Sequence, residues 1–135
     1  MTQLKGLVPK GWGSEFIWAT NDKYCGKFMN FNAGAKFSMH FHRDKEETWY
    51  VQSGKFVVRW IDTATAELHE KEIRDGAVWY NPPCQPHQLE CIESGTVIEV
   101  SLLIVLKTTI EFYPGIAKNE DTSYGTQRFY WQAYV

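Results

Sequence analysis

Along most of this chain apolar and polar side chains alternate in short runs, and turn residues interrupt each run before a helical period can establish itself. Aromatic and β-branched residues dominate the runs, which predicts strands. They are EFIWAT (15–20), GKFMNFNA (26–33), AKFSMHFH (35–42), ETWYVQS (47–53), KFVVRWIDT (55–63), AELHEKEIR (66–74), AVWYNP (77–82), HQLECIE (87–93) and TVIEVSLLIV (96–105). The connections NDKYCG, NAGA, HRDKE, QSGK, DTATA, RDGA, PPCQP and ESGT are mostly Gly, Asn, Asp, Ser and Pro. Gly34, Gly54, Gly76 and Gly95 stand at predicted strand edges, where a positive φ suits glycine. Short strands with hairpin-length connections predict an all-β fold, either a closed barrel or a double sheet.

The stretch HFHRDKEETW (40–49) carries the candidate chemistry. Residues two apart on a strand share a face, so His40 and His42 present two imidazoles side by side, opposite Met39 and Phe41. On a solvent face this is an amphipathic edge strand. On an interior face two buried imidazoles need a partner, and a metal ion supplies one. In the next run Glu47, Trp49 and Val51 share a face that is interior by composition, which favours Glu47 over Glu46 as a ligand. Arg43, Asp44, Lys45 and Glu46 are read as a solvated turn.

Forty residues later, GAVWYNPPCQPH places His87 after a proline-rich turn. Together the two stretches resemble the paired motifs of the cupin superfamily. Gly34, His40, His42, Glu47 and Gly54 occupy the defined positions of the first, and Gly76, Pro82 and His87 those of the second. Cys84 stands where glycine is usual and Cys91 where asparagine is usual. The resemblance covers roughly residues 10 to 101. It implies a double-stranded β-helix, a jelly-roll barrel, holding one divalent transition metal on His40, His42, Glu47 and His87. The segment KGWGSEFIW (10–18) is similar to the opening of small cupins related to type II mannose-6-phosphate isomerase and to the C-terminal part of mannose-1-phosphate guanylyltransferases, with Gly11 in place of a proline. Imidazole and carboxylate donors suit Zn, Mn, Fe, Ni or Co without choosing among them.

Further pocket candidates are Trp49, which shares the face of Glu47, and Lys36 and Ser38, which share strand parity with His40. Tyr80, Gln88 and Cys84 flank the second motif, and Arg59 interrupts the run FVVRWI. His69 reads as a surface residue among charges.

Bulk properties narrow the classes. With 135 residues, 44% of them hydrophobic, one domain with a core is expected. A net charge of −2 without a basic stripe argues against nucleic acid and anionic membranes. Cys25, Cys84 and Cys91 form no paired spacing, no signal peptide is evident, and the longest apolar run is too short to span a bilayer. A cytoplasmic, non-membrane protein follows as the expectation. Apolar groups on outward faces, including Met39, Phe41, Tyr50 and WGSEFIW, suggest a homodimer.

Residues 1–101 are read as one cupin domain, and 102–135 as an atypical extension. Restoring one nucleotide after Ser101 allows codons that read STPHSVEDNYRVLPGDSQK and then stop, an ending like that of small cupins. The extension is therefore read as frameshift-derived. The functional expectation is a metal-dependent cupin acting on a small molecule, of sugar-phosphate or nucleotide-sugar isomerase or epimerase type. The alternatives are a mononuclear Fe(II) dioxygenase and a non-catalytic ligand-binding or regulatory cupin. No dedicated catalytic base and no phosphate-binding residues stand out.

Overall fold

The computed structural model describes residues 6–102 and the backbone of 109–113. Nine strands form one antiparallel network: β1 (Gly6–Lys10), β2 (Gly13–Thr20), β3 (Tyr24–Phe31), β4 (Met39–His42), β5 (Glu47–Ile61), β6 (Leu68–Arg74), β7 (Val78–Asn81), β8 (His87–Leu102) and β9 (Thr109–Tyr113). The described residues contain no helix, and so none long and apolar enough to cross a membrane.

Two of the strands are longer than the sequence pattern suggests. The predicted strands 47–53 and 55–63 are one strand, β5, and 87–93 and 96–105 are one strand, β8. QSGK and ESGT are therefore irregularities inside paired strands, where the β5–β8 register shifts between Val51 and Phe56. Gly54 has φ +96°, as a side-chain-bearing residue rarely does. Gly95 serves a different purpose, since its φ is not positive: a Cβ there would lie 2.0 Å from the Ser53 carbonyl oxygen. The glycines let β5 and β8 pass each other closely at the bend.

That bend divides the pairing into two sheets sharing the β5–β8 pair. The end of β8 pairs β3, and the start of β5 pairs β7. The start of β8 meets β4 at His87 and His40, while the end of β5 pairs β6. β1 and β2 extend the first sheet, and β9 pairs β4 at the edge of the second. β1 was not foreseen from its sequence, and the predicted strand 35–42 shortens to β4 plus an isolated bridge from Lys36 to Glu90. Apart from Leu102 and β9, the extension lies outside the described residues.

The core lies between the sheets. Met29, Phe31, Trp49, Val51, Phe56, Val58, Ile73, Leu89, Cys91 and Val97 pack into one buried cluster, with Trp12 and Phe37 against it. On β5 the alternation is literal: Glu47, Trp49 and Val51 are buried while Thr48 and Tyr50 are exposed. Each large apolar side chain buried here stabilises the fold by about 1.5–3 kcal/mol. Burial of Met39 overturns its placement on an outward face, whereas Tyr50, Phe16 and Trp18 are exposed.

Candidate metal centre

Three strands deliver the candidate ligands to one end of this core. His40 and His42 lie on β4, Glu47 opens β5, and His87 opens β8. One ligand atom from each of His40, His42 and His87 lies within 4.8 Å of the others. The imidazole centroids are 4.6 Å apart for His40 and His87 and 5.0 Å for His40 and His42. Glu47 reaches in from the opposite strand, with Oε1 2.9 Å from His42 Nε2 and Oε2 3.4 Å from His87 Nε2.

The backbone fixes which nitrogen faces inward. His40 Nδ1 donates to the Ser38 carbonyl at 2.8 Å, and His87 Nδ1 to the Gln85 carbonyl at 2.9 Å. A carbonyl only accepts, so these Nδ1 atoms carry hydrogen, which leaves each Nε2 as the ring's available ligand position. His87 Nε2 is buried without a hydrogen-bond partner among the described residues, 3.4 Å from a Glu47 oxygen. A cation held between them would satisfy both. Burial, together with neighbouring His87 and His42, lowers the His40 pKa to about 3, so its imidazole stays neutral at ordinary pH. Burial opposes the charge on Glu47, but the neighbouring His42 and His87 rings and the Lys45 ammonium outweigh it and hold the carboxyl well below the usual range. Three imidazoles beside an ionised carboxylate form a donor set that fits a divalent transition ion.

Beside this cluster is a cavity of about 470 Å³. Of the residues singled out in the sequence, Lys36, Ser38 and Trp49 line it together with His40, His42 and Glu47. The others stand elsewhere. Gln88 is buried but turns its amide to the Phe37 carbonyl, 3.0 Å away. Tyr80 is exposed and donates to Glu46 at 2.6 Å, because it occupies the outward parity of β7. Arg59 pairs with Glu70 and Glu90 across β6 and β8. Cys84 is exposed in the proline turn, with Sγ 3.3 Å from the Arg43 carbonyl and φ +65°. The turn thus keeps the left-handed conformation that glycine adopts readily.

Several cavity residues were not foreseen. Lys45 is not part of a solvated turn: its Nζ lies 2.8 Å from Glu47 Oε1 and 3.4 Å from Glu99 Oε1. Glu99, buried on β8, accepts from Trp49 Nε1 at 3.3 Å and lies 3.6 Å from Lys27, which in turn pairs with Glu15 at 3.0 Å. Burial works against the charges of Lys27 and Lys45, yet Glu99 with Glu15 or Glu47 outweighs it and raises both pKa values. Strand parity carried the signal, since Glu99 shares the inward face of Val97 and Ser101.

Residues 27–105 match the family model described as Cupin domain. The chain belongs to the cupin family. Both histidine-bearing stretches fall within the match, and the jelly-roll architecture agrees with it. Among solved structures, this cupin is similar to oxalate decarboxylase from Bacillus subtilis, with TM-score 0.67 and 18% identity over 78% of this chain and 29% of that one. It is also similar to an RmlC-like cupin from Shewanella frigidimarina NCIMB 400, with TM-score 0.59 and 22% identity over 68% and 77% of the two chains. A third likeness is to KdgF from Halomonas sp., with TM-score 0.59 and 19% identity over 66% and 76%. At these identities the likeness is one of fold. This cupin spans less than a third of the oxalate decarboxylase chain. A sequence comparison with curated proteins gives no match.

Proposed function

We propose that this cupin is a metal-dependent enzyme in which His40, His42, Glu47 and His87 hold one divalent transition ion, and that it isomerises or epimerises a small hydroxy-carbonyl compound of the sugar-phosphate or nucleotide-sugar kind. The observation that carries the metal reading is the convergence of three histidines, two of them with Nδ1–H tied to backbone carbonyls, beside a buried carboxylate. The isomerase type is supported by the KGWGSEFIW resemblance.

When bound, the ion supplies Lewis-acid polarisation of a carbonyl and its neighbouring hydroxyl. The chain's own groups do the rest. Trp12, Phe37 and Trp49 give the cavity apolar walls that exclude water from the reacting carbon. Lys45, between Glu47 and Glu99, orients both carboxylates. Glu99 lines the cavity, is not one of the proposed ligands, and is assigned the proton transfer for which the sequence offered no clear base. Metal-loaded protein incubated in D₂O with phosphorylated aldoses and ketoses tests this reading. The expected result is deuterium incorporation next to the carbonyl without oxygen uptake. Oxygen consumption by iron-loaded protein, with no exchange, favours the dioxygenase reading instead.

A further inference from the structure

The cavity wall carries more positive charge than its carboxylates can balance. Four lysines line it, Lys10, Lys27, Lys36 and Lys45, against Glu15, Glu47 and Glu99. One positive charge is left over among the described lining residues, and a divalent ion on the proposed ligands raises the excess to three.

The ion pairs show where that excess resides. Lys27 is held between Glu15 and Glu99 at 3.0 and 3.6 Å, and Lys45 between Glu47 and Glu99 at 2.8 and 3.4 Å. Those two ammonium groups are engaged by the wall itself. Lys10 has only a loose 3.7 Å contact with Glu15, which Lys27 already shares. Lys36 lines the cavity and pairs with no carboxylate among the described residues, although its backbone bridges to that of Glu90. Lys36, together with Lys10, whose partner Glu15 is shared with Lys27, and the ion site therefore line a space that lacks one balancing anion. Such a space concentrates field lines and favours a ligand of opposite charge.

We propose that the cavity is an anion-selective ligand site in which Lys10 and Lys36 read a carboxylate or phosphate group, while the rest of the ligand lies against Trp12, Phe37 and Trp49. The inference rests on the metal reading above and deepens it by assigning the residues that choose the ligand. The volume, about 470 Å³, suits a molecule the size of a sugar acid or sugar phosphate. The aromatic walls suit its carbon skeleton, and the unbalanced lysines suit its charge. Neutral polyols of the same size gain no charge–charge attraction from Lys10 or Lys36.

Calorimetry on the Mn(II)-loaded full chain, with metal content measured separately, tests the proposal. The probes are glycolate, glycerol 3-phosphate and glycerol. The expected result is that at least one anion binds about tenfold or more tightly than glycerol. The tighter of the two anions identifies the head group. Lys36→Gln and Lys10→Gln each weaken that anion about tenfold while leaving Mn(II) content and Tm unchanged. The proposal is overturned if glycerol binds as tightly as both anions, or if both variants bind the anion as the parent does. Failure of the parent chain to take up any Mn(II) overturns the metal reading instead, and the elemental analysis separates the two outcomes.

Discussion

His40 and His87 face each other across the β4–β8 pairing, directly opposite in register and 4.6 Å apart between ring centroids. They are separated by 46 intervening residues, yet each tethers its Nδ1–H to a carbonyl two residues earlier. A backbone that ties the Nδ1–H of both imidazoles in the same way and leaves Nε2 of each for an ion is the structural basis of the metal assignment.

Acid should destabilise the metal-free protein before most of its carboxylates matter. The His40 pKa falls from 6.5 to about 3 on folding. Between those values the unfolded chain binds a proton that the native chain does not, so stability is present above about 6.5 and declines as pH falls toward 3. Glu47, also depressed, adds a loss in the same direction at lower pH. Thermal unfolding of metal-free protein at pH 8, 6.5 and 5 should give a Tm that decreases through the series, with the steeper fall below 6.5.

Glu99→Gln should retain the metal and lose the chemistry. With a turnover substrate in hand, the exchange rate is expected to fall by about 10²-fold or more. Metal content measured on the same sample should equal that of the parent chain. A variant with unchanged exchange would remove Glu99 from the proton transfer.

Cys84→Gly should stabilise the fold modestly. The left-handed conformation at φ +65° costs a side-chain-bearing residue about 1–2 kcal/mol, while glycine loses about 0.5–1 kcal/mol more backbone entropy on folding. The difference favours the variant by about 0.5 kcal/mol, readable by urea denaturation.

Gly95→Ala should be severe by comparison. Its Cβ would meet the Ser53 carbonyl oxygen at 2.0 Å and Gly54 Cα at 2.7 Å, both backbone atoms. Either β5 or β8 must shift, at a cost of about 3 kcal/mol or more. A lower urea midpoint with unchanged slope is the expected outcome.

Leu7, Phe16, Trp18, Tyr50, Val100 and Leu102 remain exposed on outward faces, which suits a second copy of the chain. Sedimentation should give twice the chain mass for the parent and the chain mass for Phe16→Glu combined with Trp18→Glu.

Much of this architecture was legible because strand alternation is a local property. It placed His40 beside His42 and chose Glu47, now buried, over Glu46. The bend was not legible: Gly54 and Gly95 look like hairpin turns until the strands are seen to continue through them. The cavity charges escaped for a related reason. Lys45 follows a charged turn and Glu99 interrupts an apolar run, and only the pairing of β5 with β8 brings them together. Arg59, lone within an apolar run, found partners on β6 and β8 by the same cross-strand logic. For the extension, the coding DNA is the arbiter: a neighbouring frame that cannot yield STPHSVEDNYRVLPGDSQK refutes its frameshift origin.

Whether His40, His42, Glu47 and His87 hold an ion is read from the divalent metal content of the purified chain beside that of His40→Ala combined with His87→Ala, both checked for folding by circular dichroism. One ion per parent chain, and none in the folded double variant, is the predicted result. A folded parent that binds no transition metal, or a double variant that binds it equally, would contradict the account.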